Sequence, residues 1–131
     1  WNPRMLNTTV SGNLNGIYTS LSANTVTLTT GTYYIVGVSD GWGVGRAQIR
    51  LYNTTNPATI SSGDNAATVA GGGTGSAFCY VSAVIAVTSA INIQLQQNCT
   101  LTQSSVGNGL DNTFTDAEIN VYSSLEIGKL G

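Results

Sequence analysis

Ser76 to Cys99 reads SAFCYVSAVIAVTSAINIQLQQNC, and its alternation decides the fold. If Thr88-Ser89-Ala90 is a loop, Cys79, Val81, Ala83, Ile85 and Val87 share a side with Ile91, Ile93, Leu95, Gln97 and Cys99. The opposite side carries Phe78, Tyr80, Ser82, Val84 and Ala86 on one arm, and Asn92, Gln94, Gln96 and Asn98 on the other. A period of two marks β-strands, not helix. The spacing predicts a hairpin with Val87 opposite Ile91, Ile85 opposite Ile93 and Cys79 opposite Cys99. A slip of one residue would turn the aliphatic row to solvent, so the register is strongly specified.

The same texture extends along the chain. Thr, Val, Ile and Tyr recur in short runs broken by Gly, Asn, Asp and Ser, and no apolar stripe has helical spacing. Strands are expected near 24–29, 31–39, 45–52, 65–70, 76–87, 91–98 and 117–129. Turns are expected at Asn56-Pro57, Ser62-Gly63-Asp64, Gly71 to Gly75 and Gly107-Asn108-Gly109. The expectation is an all-β, antiparallel β-sandwich of jelly-roll type spanning 17–131, with 1–16 as an N-terminal arm in which Asn2-Pro3 breaks any ladder.

Two strands differ in their faces. Ala47, Ile49 and Leu51 oppose Arg46, Gln48 and Arg50, giving one dry and one wet face. In residues 32–38, by contrast, Tyr34, Val36 and Val38 oppose Tyr33 and Ile35, so both faces are apolar. A two-layer sandwich covers only the inner face of each sheet. Outward rings among Tyr33, Tyr34, Phe78, Tyr80 and Tyr122 therefore need a partner surface, which further copies of the chain supply most simply.

Composition excludes several functions. The 131 residues include four Lys or Arg, six Asp or Glu and no His, a net charge of −2. Charged residues are 8% of the chain against about 25% in ordinary soluble domains. Four scattered cations cannot displace counterions along a nucleic acid, and without histidine no imidazole base or ligand exists. No apolar run is long enough for a membrane span.

No catalytic constellation emerges. Asp40, Asp64, Asp111, Asp116, Glu118 and Glu126 follow neither a glycosidase nor a calcium-loop pattern, and Lys129 is the only lysine available to a serine dyad. The glycines around Asp40-Gly41-Trp42-Gly43-Val44-Gly45 precede a strand, not the helix of a nucleotide loop. Trp42 is expected to pack over the sandwich end, with stacking on a sugar as its alternative role. Asn7, Asn53 and Asn98 each begin an Asn-x-Ser/Thr acceptor. Cys79 and Cys99 suit either a disulfide, worth about 3 kcal/mol for a loop of this size, or two buried thiols. No enzyme, metal or cofactor is expected.

Several runs carry a family resemblance. TGTYYIVGV (Thr30 to Val38) resembles the Gly-x-Tyr strand of the tumour necrosis factor and complement globular-head superfamily, and AQIRLYN (Ala47 to Asn53) its following strand. INIQLQ (Ile91 to Gln96) is similar to a late strand of that family, and VYSSLEIGKL (Val121 to Leu130) to its closing strand. The Asn/Thr/Gly-rich composition looks more like its bacteriophage members, the fibre knobs and capsid decoration proteins. The resemblance implies a jelly roll assembled as a threefold trimer with aromatic strands at the axis. The expected function is a structural virion protein on the particle surface, a homotrimeric decoration or cement knob bound to major capsid protein. The alternatives are a fibre-tip knob on a shaft that recognises host glycans, or a secreted ligand or adhesin.

Overall fold

A computed structural model describes residues 1–6, 17–68, 75–101 and 121–131. Among them lie nine strands and no helix: β1 (Asn2–Pro3), β2 (Tyr18–Ser22), β3 (Thr25–Leu28), β4 (Gly31–Ser39), β5 (Arg46–Asn53), β6 (Ala58–Ala67), β7 (Cys79–Val87), β8 (Ile91–Cys99) and β9 (Ser123–Lys129). All pairings are antiparallel. One sheet runs β2-β3-β8-β5-β6, with β1 also on β8, and the other runs β7-β4-β9. The pairs nest, since β5 joins β6, β4 joins β7 and β3 joins β8. Residues 7–16, 69–74 and 102–120 lie outside the described residues, and with them Asn7, most of the Gly71 to Gly75 loop, the Gly107 turn, Asp111, Asp116, Glu118 and the start of the expected last strand.

The expected hairpin does not form. β7 pairs with β4 and β8 with β3 and β5, so Thr88-Ser89-Ala90 carries the chain from one sheet to the other. The parity of the reading holds, because Val81 and Val87 on β7 and Ile93 and Leu95 on β8 are buried between the layers. What differs is the direction in which those rows meet. They face each other across the core, where sheets stand about 10 Å apart, instead of lying side by side about 4.8 Å apart. Both arrangements bury the same alternation.

Leu28, Ile35, Ile49, Leu51, Ile93 and Leu95 are fully buried between the two sheets, and each contributes about 2 kcal/mol by leaving water. Tyr33 joins them at 0% exposure, its hydroxyl donating to the Thr29 carbonyl oxygen at 3.0 Å. This corrects its expected place on an outward face. A buried phenol needs that partner, and the turn before β4 supplies it.

Three further expectations change. β6 runs straight through Ser62-Gly63-Asp64, which was expected to be a turn, with register shifts against β5. A Cβ on Gly63 would collide with the Tyr80 carbonyl oxygen and lie 2.8 Å from Ile49 Cγ1, so glycine is what lets β6 approach β7 here. β2 and β3 form a hairpin missed in the sequence, closed by Ala23 (φ 48°) and Asn24 (φ 63°), the two positive angles of a tight primed turn. Finally, the start of the arm is not loose. Asn2 and Pro3 pair with Gln97 and Gln96 beyond the end of β3 on the same edge of β8. Proline is tolerated on that two-residue edge strand.

Candidate functional site

The outward face of the β7-β4-β9 sheet is rich in apolar side chains, several of them exposed, and among the described residues no strand packs over it. Register places Tyr34 beside Val84, Val36 beside Ser82 and Val38 beside Tyr80, with Gly128, Glu126 and Ser124 of β9 on the far side of β4. Val84 and Phe78 are each 64% exposed, Tyr34 40% and Tyr80 39%. Tyr34 and Tyr80 lie on the adjacent strands β4 and β7, four register positions apart. Interaction with the Tyr80 phenol, through hydrogen bonding first and then charge, with lesser contributions including Glu126, raises the Tyr34 pKa. Glu126 is the only charged residue in these outward rows of β4, β7 and β9.

Of the aromatic residues expected to face outward, with Tyr33 and Tyr34 as alternatives, Tyr34 and Tyr80 are on this face and Phe78 is exposed just before β7. Tyr33 is in the core, and Tyr122 is half-buried just before β9. Val84 belongs to the face and was not singled out. Its parity with Tyr80 was the available signal.

A polar seam closes one end of the sandwich. Arg4, 6% exposed, directs Nη2 to the carbonyl oxygens of Asp40 (3.0 Å) and Tyr122 (3.4 Å). Its own N–H donates to the Leu95 carbonyl oxygen at 2.8 Å. One side chain therefore ties the N-terminal segment to the end of β4 and the approach to β9. Burial pushes the guanidinium pKa down, while Cys99, Asp40 and Cys79 nearby act to raise it. An arginine remains charged even so. Beside it Ser39 Oγ donates to Gln97 Oε1 at 2.9 Å, joining the sheets.

Cys79 and Cys99 flank this seam on different sheets, and both thiols are free. The cross-strand pairing that set them opposite each other in the sequence is absent. Burial raises the pKa of both, and Arg4 only partly opposes this at Cys99. A raised folded-state pKa means the native protein holds its thiol protons more tightly than the unfolded chain. Stability is then fully present below the ordinary thiol value of about 8.5 and is lost as pH rises above it. Denaturation midpoints should accordingly fall between pH 8 and 10 in the wild type, and fall less in a Cys79→Ala, Cys99→Ala double variant. Equal slopes in the two proteins would refute the assignment.

Trp42 is half-buried and bridged to Ser76, while Ala77 N–H donates to the Gly41 carbonyl oxygen at 2.7 Å. The aspartate before it holds the loop, since Asp40 Oδ1 accepts from Gly41 N–H at 2.7 Å and Oδ2 from Ser76 Oγ at 3.2 Å. Trp42 thus belongs to a zipped loop at the sandwich end.

The outward face of the larger sheet has the opposite character. Gln96 Oε1 accepts from Arg50 Nε and Nη2 at 2.9 and 2.8 Å, Gln96 Nε2 donates to Gln94 Oε1 at 2.9 Å, and Gln94 Nε2 donates to Thr25 Oγ1 at 3.0 Å. Trp1 and Tyr52 place ring centroids 4.3 and 4.2 Å from the Arg50 guanidinium carbon, close enough for cation–π attraction. This network spends its donors on itself.

No protein-family model matches the chain, and no curated protein matches it.

Proposed function

We propose that the chain is a structural protein of a virion, a trimeric jelly-roll knob that decorates or cements a phage shell. The observation that carries this reading is the exposed Tyr34, Tyr80 and Val84, with half-buried Val36 and Val38 between them and exposed Phe78 just before β7, on a sheet whose other face already fills the core. Water is a poor neighbour for such a face, and its occupants are further copies of the chain. Three copies round an axis would bring the tyrosine–valine rows together with little charge to repel them.

Other features support the finer reading. Nested pairing of β5 with β6, β4 with β7 and β3 with β8, alternating between sheets, is what results when one long ribbon is wound over itself, as in a jelly roll. The motifs that resemble the tumour necrosis factor superfamily fall on β4, β5, β8 and β9. A protein that binds only the assembled shell stabilises it by mass action, without needing catalytic groups.

Sedimentation at micromolar concentration should report about 40 kDa, three times the chain's 13.5 kDa. Added to undecorated phage capsids, the protein should raise their melting temperature. A 13.5 kDa species would remove the trimer, and a trimer that neither binds nor shifts capsids would remove the decoration role.

A further inference from the structure

A second feature lies on the larger sheet, beyond the self-saturated network around Arg50. Here the outward face sinks into an open cavity of about 520 Å³, within the range of small-ligand sites. Register builds it from two rows across β6, β5 and β8. Asn65, Gln48 and Asn98 form one row. Ala67, Arg46 and Thr100 form the next, with Thr100 N–H donating to the Arg46 carbonyl oxygen at 2.9 Å.

The two ends of the sheet face differ in how their polar groups are used. Around Arg50 the guanidinium and the glutamine amides are hydrogen-bonded to one another. In the cavity Gln48 Nε2 donates to the Gly63 carbonyl oxygen at 3.3 Å. Arg46, Asn65 and Asn98 line the hollow and their side chains make no hydrogen bond among the described residues, and among those residues no Asp or Glu lines it. Thr100 Oγ1 is held in place, accepting from Arg46 N–H at 2.9 Å.

We infer that this cavity binds a carboxylate-bearing sugar. A carboxamide offers a donor and an acceptor side by side, and so does each hydroxyl of a sugar ring. Three carboxamides in a row, on strands about 4.8 Å apart, therefore offer paired donors and acceptors to hydroxyls spread along a sugar. Arg46 supplies a planar pair of donors for one carboxylate, with no acidic neighbour among the described lining residues to compete for it. An inorganic phosphate would draw on the single cation and leave the amide row idle. The inference does not rest on self-association, because the cavity is on the sheet turned away from the apolar face.

The test is titration of the intact protein, followed by backbone-amide NMR, with a glucuronate-containing tetrasaccharide and with the same tetrasaccharide carrying glucose in its place. Shifts should concentrate on β5, β6 and β8, and the neutral sugar should bind roughly tenfold more weakly or worse, the loss of one charge-assisted contact. Arg46→Gln, a change at an exposed side chain, should erase the difference between the two sugars, and Asn98→Ala should weaken both. No shifts at millimolar sugar, equal affinity for both sugars in the wild type, or shifts centred on the Trp42 loop would each overturn the proposal. Every readout is taken on whatever species sedimentation reports, so failure here and failure of the trimer are separately visible.

Discussion

Val84→Asp should convert a species of about 40 kDa into one of 13.5 kDa while leaving the protomer folded. Val84 lies in the middle of β7, 64% exposed in the protomer and next to Tyr34 in register. Its substitution removes nothing from the core, and surface changes of that kind usually stay within about 0.5 kcal/mol. In a trimer the same position would be enclosed. An unpaired carboxylate buried there costs about 3–5 kcal/mol, which is at least a hundredfold in the association constant for each copy. Three such carboxylates would also repel one another. Val84→Leu should keep the trimer, because it adds apolar surface and no charge. Sedimentation of the three proteins at equal micromolar concentration checks the set. A Val84→Asp protein that still sediments at about 40 kDa would move the interface elsewhere, and an unfolded one is recognised by its circular dichroism.

The alternation in β4, β5, β7 and β8 was fully legible, because a period of two assigns faces whatever the partner strand is. Partner choice was not. Val81, Val87, Ile93 and Leu95 satisfy the same rule as cross-strand neighbours or as layers facing across a core, and a short polar link such as Thr88-Ser89-Ala90 serves both. Nor does parity say which of two apolar faces turns inward. Tyr33 and Tyr34 are interchangeable in sequence, and the choice falls on Tyr33 because Thr29 lies within reach of its hydroxyl. The exposed face itself could be deduced, since one strand with two apolar sides leaves one over. Arg4 could not. It sits among residues without periodicity, and its partners are backbone carbonyl oxygens, which every residue has and no sequence pattern marks. The cavity at Arg46 was half visible: the wet face of β5 was plain, while Asn98 joined it through the β5–β8 pairing and Asn65 through a β5–β6 register that shifts along β6.

Arg4→Ala should produce the largest loss of protomer stability among single polar substitutions, about 3 kcal/mol, and lower the melting temperature by about 10 °C. The side chain is 6% exposed and bonds the carbonyl oxygens of Asp40 and Tyr122. Removing it leaves the Asp40 carbonyl oxygen without this donor and empties the space of a side chain that is almost wholly enclosed, while the Tyr122 carbonyl oxygen keeps the Asp40 N–H at 2.9 Å. The damage should spread along the chain in a definite order. β1 is only Asn2–Pro3, and its hold on β8 depends on the Arg4 backbone bond to Leu95 and on Trp1 lying over Arg50. With the side chain gone, the first six residues should detach, and Trp1 fluorescence should shift toward that of a water-exposed indole before the core melts. Arg4→Lys should recover only part of the loss, since an ammonium cannot reproduce the planar fork of a guanidinium. Arg46→Ala, at an exposed position, supplies the control and should change stability by no more than about 0.5 kcal/mol. If Arg4→Ala costs no more than that control, the N-terminal segment is a passenger on the sheet edge and not a clasp.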